Sequence, residues 1–382
     1  MSWLLPALLA AAPLTAWEYR WEAQAEWSPL SLPGHPPHGE GDLYQRTALP
    51  ALELKDPALK LDAVIGHFEV WVDGQRVWVH PRGGLDAKGV AGMPWHLVPL
   101  PRGAREVMLK VRTSYRLAGV QAVPMLGERG ELLEAVVRDD TPRLLIGLLM
   151  VLIGALGLLL MPIRLGGPFA VYTVASGLYV AYYTALKQVA LPVPAPAWFA
   201  TWLVVLAVVP IGYLRFLNTS LAARSRALEV LQRVHEAYGA LFLSVCAVGW
   251  TAMELSGHAA ERWAAPALFL TGAGERLLMV VTGCVSTWHV LRLARSEGPD
   301  RSNARLLLVA FSMLGGALVL NVGAGLGLLP SARGAYVAPG AFALAVAFAI
   351  IAQRSWASTR VQLAERVKEK VAMLRDLLRF NR

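Results

Sequence analysis

Residues 144–163 read LLIGLLMVLIGALGLLLMPI, a run without a single charged side chain. An α-helix rises about 1.5 Å per residue, so a run of this length can cross the roughly 30 Å hydrocarbon core of a bilayer. Six similar apolar runs follow along the chain, near 168–187, 198–217, 238–256, 268–291, 306–328 and 336–353. The sequence therefore predicts a membrane protein with a seven-helix transmembrane bundle over residues 143–354.

The composition agrees with this prediction. The 382 residues are 55% hydrophobic and only 16% charged, against about a quarter charged in soluble domains. This excludes a disordered chain, a disulfide scaffold and a simple soluble enzyme. The two cysteines, Cys246 and Cys284, lie within apolar runs, which favours buried apolar residues over a disulfide. Residues 17–142 must therefore fold without disulfides.

The charges indicate an orientation. Residues 17–142 carry 14 Lys/Arg and 17 Asp/Glu, whereas residues 143–382 carry 22 and 10. If residues 17–142 lie outside, 17 Lys/Arg fall in the loops and tail on the inner side, and the outer loops between spans carry only Lys187, Arg262, Arg333 and the borderline Arg276. This asymmetry follows the positive-inside rule and requires an odd number of spans. The basic residues thus report topology and contact with the lipid bilayer, which argues against a nucleic-acid partner.

The first sixteen residues, MSWLLPALLAAAPLTA, are apolar but too short to span a bilayer. They predict a signal peptide over 1–16 with cleavage after Ala16. The absence of Lys or Arg near the start and the size of Leu14 leave an uncleaved signal anchor as the alternative.

Residues 17–142 predict an exported all-β sandwich of jelly-roll type. FEVWV and QRVWV, joined by Asp73-Gly74, form a hairpin signal at 68–79. Other short alternating runs lie at 44–50, 59–64, 95–101, 105–113 and 118–125, separated by turn residues.

This hairpin, the glycine-rich RGGLDAKGVAG at 82–92 and the WHLVPLP strand at 95–101 resemble a galactose-binding-like jelly roll. Followed by seven spans and a final helix, the domain resembles the bacterial seven-transmembrane receptors with diverse intracellular signalling modules. The resemblance implies an inner-membrane sensor whose outer domain binds a carbohydrate or similar small molecule and signals to a cytoplasmic module.

Candidate ligand-binding residues are those that stack on sugars or hydrogen-bond to them: Trp71, Trp78, His80, Arg82 and Trp95. With a two-residue turn and regular pairing, Val70 faces Val77 and Glu69 faces Trp78. Trp71 and Trp78 then share one face, while Phe68, Val70, Val72, Val77 and Val79 share the core face. The tryptophan face either binds ligand or packs under a loop or on the membrane domain.

Glu275-Arg276 is an acid–base dipeptide inside an apolar run, and intramembrane charges usually mark function. The two residues are candidates for coupling the outer domain to the helices. Alternatively, the fifth span is 277–294 and the pair lies at the outer interface.

The tail, residues 355–382, predicts a cytoplasmic helix of coiled-coil type. Ala364, Val367, Val371, Leu374 and Leu378 recur at spacings of three and four. Such a helix gains stability by pairing in a homodimer or by continuing the seventh span, and a basic helix lying on lipid is the competing interpretation. The tail carries no histidine for phosphotransfer, so the output requires a separate cytoplasmic signalling protein, unless the chain is a truncated receptor.

No catalytic motif, metal-ligand spacing or cofactor-binding lysine or histidine pair is present, so we expect no enzyme activity, metal or cofactor. The sequence favours a transmembrane sensor. The alternative is a non-signalling multi-pass protein, either a transporter or an anchor for an envelope assembly.

Overall fold

The computed structural model describes residues 11–32, 34–37, 39–62, 64–113, 119–120, 122–191, 193–221, 223, 225–325 and 337–380. The chain forms two compact units. The first contains residues 1–145, 179–207 and 238–277, and the second contains residues 146–178, 208–237 and 278–382.

The front of the first unit is a sandwich-like arrangement of antiparallel strands. A six-stranded sheet has the order β3-β2-β4-β10-β7-β8, a four-stranded sheet has the order β1-β12-β5-β9, and β11 pairs with β6. The strands are β1 Ala12–Pro13, β2 Ala16–Trp21, β3 Ser28–Ser31, β4 Leu43–Ala48, β5 Pro57–Leu61, β6 Val64–Ile65, β7 His67–Val72, β8 Gln75–His80, β9 His96–Pro99, β10 Glu106–Arg112, β11 Gly119–Val120 and β12 Met125–Glu128.

Both main sheets contribute to one hydrophobic core. Phe68, Val70 and Val72 of β7 are buried, as predicted for the core face of the hairpin. They cluster with side chains of the four-stranded sheet, including Leu59 and Val98. The predicted β domain is therefore confirmed as a two-sheet β region.

The sequence before β2 belongs to this β region. Ala12 pairs with Leu126 of β12, and Leu14 is buried in the core with its carbonyl accepting the indole N–H of Trp17 at 2.8 Å. The predicted signal peptide remains a prediction, and residues 1–10 lie outside the described residues. Cleavage after Ala16 would remove β1 and Leu14 from the folded domain.

The rest of the chain is helical. The helices are α1 Arg129–Leu160, α2 Ile163–Tyr182, α3 Lys187–Ala190, α4 Ala195–Ser220, α5 Arg226–Ser256, α6 His258–Arg295, α7 Arg301–Gly325 and α8 Val337–Phe380. Within the described residues, six of them are long and apolar enough to cross a membrane: α1, α4, α5, α6, α7 and α8.

The remaining long helix, α2, leaves the predicted count of seven spans unconfirmed. The predicted span 168–187 forms α2, which ends at Tyr182 and leaves Lys187 in the separate helix α3. Gly166, Gly167 and four tyrosines in 172–183 reduce the apolarity of this segment. The described structure therefore supports a membrane protein with six apolar spans, and a seventh remains a prediction.

Glycines bring the helices of the second unit close together. A Cβ at Gly177 would meet the Gly147 carbonyl oxygen of α1 at 2.5 Å, and a Cβ at Gly212 would meet the Tyr172 amide nitrogen at 2.6 Å. Phe216 of α4 and Phe348 of α8 stack with ring centroids 4.1 Å apart. Small residues thus allow close packing of these helices.

The predicted tail helix is continuous with the last span. α8 runs over 44 residues from Val337 to Phe380 without a break. Every side chain from Ala357 to Met373 is exposed, including Val361, Val367 and Val371. Of the predicted seam, the side chains of Leu374 and Leu378 lie outside the described residues.

Candidate functional site

The β7–β8 hairpin contains a β-bulge that the sequence prediction lacked. Trp71 pairs with Arg76 as predicted, but Val70 then pairs with Trp78 and Glu69 with Val79. Val77 is the additional residue. The predicted register, with Val70 opposite Val77, is therefore wrong beyond Arg76, because a bulge shifts the following residues to the opposite faces of the sheet. Trp71 and Trp78 consequently lie on opposite faces and do not form one aromatic surface.

Trp71 lies on the outer face of the six-stranded sheet. Its indole N–H donates to Glu69 at 3.1 Å, and Arg76 pairs with the same carboxylate at 2.9 Å. Glu69 is 8% exposed. The three side chains thus form a fixed polar group, and the Trp71 ring remains half-buried beside it.

Trp78 and His80 lie on the inner face, at the margin of the core. The His80 and His96 ring centroids are 4.6 Å apart, and both rings pack against Phe68. Trp78 contacts His96 edge-on at 5.9 Å. Burial lowers the pKa of His80, and burial with the neighbouring His80 lowers the pKa of His96 to about 3. The two rings are therefore neutral and structural at neutral pH.

Two histidines hold the glycine-rich loop, residues 81–92, against the β region. The two ring nitrogens of His67 lie 3.3 Å from the carbonyl oxygens of Leu85 and Gly89. His80 Nε2 lies 3.1 Å from the Ala91 carbonyl oxygen. Arg82, at the start of this loop, is exposed. The loop is therefore anchored from its middle to its end.

The same loop contacts the ends of helices in the first unit. The Gly89 amide donates to the Met253 carbonyl at 3.2 Å, and Lys88 Nζ donates to the Leu255 carbonyl at 3.3 Å. Val90 packs against Met253, Ala260 and Ala264. The loop thus meets the end of α5 and the start of α6.

Glycine permits the contact with α4. Gly92 has φ +74°, and a Cβ there would meet the Ala195 carbonyl oxygen at 2.9 Å. Nearby, the Trp95 amide donates to Gln188 of α3 at 3.2 Å. Trp95 therefore lies at the contact with the helices, separate from the other predicted ligand residues.

A polar contact adds to this docking. Thr113, which follows β10, donates to Glu261 of α6 at 3.1 Å, and His258 lies 2.6 Å from the other carboxylate oxygen of Glu261. His258 and Glu261 thus anchor the first turn of α6 to the β region. We name the loop 81–92 with its contacts to α4, α5 and α6 the docking loop.

Glu275 and Arg276 lie in the middle of α6 and have different surroundings. Glu275 is 1% exposed, whereas Arg276 is exposed. α6 is one 38-residue helix from His258 to Arg295, so it extends beyond both spans that the sequence allowed. Coupling through this pair remains a prediction.

Sequence reasoning missed an arginine–aromatic cluster on the outer face of the six-stranded sheet. The Arg46 guanidinium lies 4.1 Å from the Trp27 ring centroid and 2.8 Å from Glu18. Arg20 lies between Trp27 and Tyr44, at 5.0 and 5.2 Å. The signal was present in the alternation of Trp17, Tyr19 and Trp21 with Glu18 and Arg20, which is typical of a strand with one buried face.

Next to this cluster lies a buried carboxylate. Asp42 accepts two hydrogen bonds from Arg112 at 2.7 and 2.8 Å and pairs with Lys110 at 3.1 Å; Arg112 also pairs with the exposed Asp86 of the docking loop. Burial opposes the ionisation of Asp42. The hydrogen bonds and charges of Arg112 and Lys110 outweigh it and hold the pKa of Asp42 below its usual value.

A second buried charge lies at helix ends of the first unit. Lys187 is 6% exposed, donates to the Thr184 carbonyl at 2.6 Å and lies over the Tyr182 ring at 5.1 Å. Asp140 of α1 accepts hydrogen bonds from the amides of Ala185 and Leu186, so this carboxylate has a structural role.

Within the described ranges, no group of three or more metal-ligating side chains is positioned to hold a metal ion.

No protein-family model and no curated protein matches the chain. The structure is similar in part to a β-galacturonidase from Eisenbergiella tayi bound to galacturonate, at 18% identity and TM-score 0.24, over 31% of this chain and 24% of that one. It is also similar to a β-glucuronidase from Faecalibacterium prausnitzii, at 12% identity and TM-score 0.25, over 32% of each chain. The chain thus spans about a quarter to a third of the length of these enzymes, and such likeness carries no conclusion about activity.

Proposed function

We propose that the protein is a bacterial inner-membrane sensor. Its β region lies outside as a jelly-roll ligand-binding domain, α2 completes a bundle of seven spans, and the end of α8 lies in the cytoplasm. The positive-inside asymmetry supports this orientation, because an odd number of spans is required between an outer front domain and an inner basic tail.

The docking loop is the observation that carries the proposal. It is held to the β region by His67 and His80 and contacts the ends of α5 and α6 through Gly89 and Lys88. A rearrangement of the β region that moves this loop would therefore act directly on two membrane helices. The alternative functions, a transporter with an outer lid or an anchor for an envelope assembly, do not require the β region to be coupled to a cytoplasmic helix.

The ligand in this proposal is a carbohydrate or a similar small molecule. The outer face of the six-stranded sheet presents Trp71 beside Glu69 and Arg76, which supplies an aromatic ring and planar hydrogen-bonding groups. Arg82 is exposed on the adjoining loop. The output is the cytoplasmic part of α8, which acts as a homodimer or on a separate signalling protein.

Sugar binding is tested on the full chain in nanodiscs. Thermal unfolding is measured with neutral sugars and with uronic acids, in the wild type and in Trp71→Ala, with Trp356→Ala on α8 as the control. We expect one class of sugar to raise Tm in the wild type and the control and not in Trp71→Ala. Absence of a shift with every sugar would contradict carbohydrate sensing.

A further inference from the structure

A polar cavity of about 550 Å³ lies in the second unit, where α8 continues beyond its apolar part. It is lined by the end of α4, the start of α7 and the α8 residues Arg354, Ser355, Ser358 and Thr359. We propose that this cavity binds a phosphate group, supplied either by an anionic lipid headgroup or by a soluble phosphorylated molecule.

The donors of the cavity fit a phosphate. Arg354 Nη1 lies 3.2 Å from Ser302 Oγ and 3.3 Å from Asn303 Oδ1, so its neighbours in the described structure are neutral. No carboxylate among the described residues lies within ion-pair distance of Arg354. An arginine with this environment retains the capacity to bind phosphate oxygens through two parallel N–H donors.

The start of α7 supplies further donors. Ser302 and Asn303 lie in the first turn of this 25-residue helix, where backbone N–H groups lack partners within the helix and the helix dipole favours an anion. The hydroxyl groups of Ser355, Ser358 and Thr359 line the cavity from α8.

An independent feature of the cavity also indicates a ligand. Ser220, at the end of α4, lines the cavity and is 9% exposed, and its Oγ is shielded and has no hydrogen-bond partner among the described residues. A buried hydroxyl without a hydrogen-bond partner destabilises the fold, and a ligand oxygen would satisfy it.

One lining side chain carries negative charge. Asp300 is 8% exposed, and its Oδ2 accepts the Ala223 amide at 2.9 Å, so this carboxylate already ties the α4–α5 connection to the start of α7. The remaining formal charge on the described lining is Arg354. The lining therefore presents one cation that has no ion-pair partner among the described residues, together with neutral donors, which suits a phosphate ester.

The position of the cavity gives the ligand a consequence. Arg354, Ser358 and Thr359 belong to the part of α8 that joins the apolar span to the exposed tail. A bound phosphate would fix this part of α8 against the start of α7. Phosphate binding by this cavity does not depend on the proposed sensor function. The compartment from which the ligand comes does rest on the proposed function, because the proposed orientation places this end of α8 in the cytoplasm.

The test uses the full chain in dodecyl maltoside without phosphate. In one arm, inorganic phosphate is added and Tm is compared with chloride of equal ionic strength. In the other arm, phosphatidylglycerol is added and the retained lipid is counted by native mass spectrometry. Arg354→Gln and Ser302→Ala test the cavity, and Arg366→Gln in the exposed tail is the matched control.

We expect at least one probe to bind the wild type and Arg366→Gln, and the affinity to fall about tenfold or more in Arg354→Gln. Ser302→Ala should show a smaller loss. If Arg354→Gln loses binding of phosphatidylglycerol only, the phosphate group belongs to a lipid headgroup. If Arg354→Gln loses binding of inorganic phosphate, the ligand is a soluble phosphorylated molecule. Binding of neither probe, or equal binding by Arg354→Gln, would overturn the proposal.

Discussion

At the residue scale, His96 makes the stability of the β region sensitive to pH. Its pKa is lowered to about 3 by burial, whereas an unfolded histidine titrates near pH 6.5. Between about pH 6.5 and pH 3 the unfolded chain therefore binds more protons, so the free energy of unfolding falls as pH is lowered through this window. His80, whose pKa is also lowered, adds in the same direction.

We expect His96→Phe to reduce this dependence, because a phenyl ring packs against Phe68 without taking up a proton. As pH falls, each such histidine lowers the free energy of unfolding by at most about 1.4 kcal/mol per pH unit. Chemical unfolding of the β region, followed by tryptophan fluorescence at pH 7 and pH 5, measures it, with the exposed His35→Asn as the control. Equal pH dependence in the wild type and His96→Phe would contradict the assignment.

Asp42 does not interfere with that measurement. Its depressed pKa contributes stability above the unfolded value of about 3.9, and this stability is lost only as the pH falls toward the lower native value.

Individual residues also show what the sequence could and could not predict. Phe68, Val70 and Val72 were placed correctly in the core because apolar alternation identifies a buried strand face. The position of Trp78 was wrong because Val77, Trp78 and Val79 are all apolar, so the pattern fits a bulged and a regular hairpin equally well. The bulged hairpin is distinguished from the regular one by a tertiary contact, the packing of Trp78 against His96.

At the scale of elements, the docking loop gives a matched pair of glycines. Gly92 and Gly103 have φ +74° and +72°, so alanine causes similar backbone strain at both. A Cβ at Gly92 would meet the Ala195 backbone, whereas a Cβ at Gly103 meets nothing within 4 Å. We expect both variants to lose about 1–3 kcal/mol from strain, and Gly92→Ala to lose more and to separate the loop from α4.

Thermal unfolding and hydrogen exchange of the amides in residues 84–92 measure this difference. Gly103→Ala should leave exchange of the docking loop unchanged. Equal destabilisation and equal exchange in the two variants would show that the Gly92–Ala195 contact does not hold the loop.

The helices were more predictable than the strands. Long apolar runs specify spans directly, because each run must satisfy its backbone hydrogen bonds internally. β2, with its alternation over 17–21, was not identified, and neither were β1 and β12, since two to four residues carry too little periodicity. The docking of residues 81–92 on α5 could not be predicted, because it depends on contacts between segments more than 160 residues apart.

At the scale of the whole molecule, the orientation of the chain is open to direct measurement. In a background with Cys246 and Cys284 replaced by alanine, we introduce Arg82→Cys or Glu369→Cys. A membrane-impermeant thiol reagent added to intact spheroplasts should label Arg82→Cys only, and permeabilisation should expose Glu369→Cys. Labelling of both sites, or of Glu369→Cys alone, in intact spheroplasts would refute the proposed topology.

The most direct test of the central claim asks whether a change at the docking loop reaches the tail. In the same cysteine-free background, Val367→Cys on the predicted seam is cross-linked by oxidation in native membranes, with Glu369→Cys on the opposite side of the helix as the control. The sensor account predicts that Val367→Cys forms the faster disulfide and that Gly92→Ala changes its rate, whereas Gly103→Ala does not. Identical rates in Gly92→Ala, Gly103→Ala and the parent would contradict transmission from the β region to the tail.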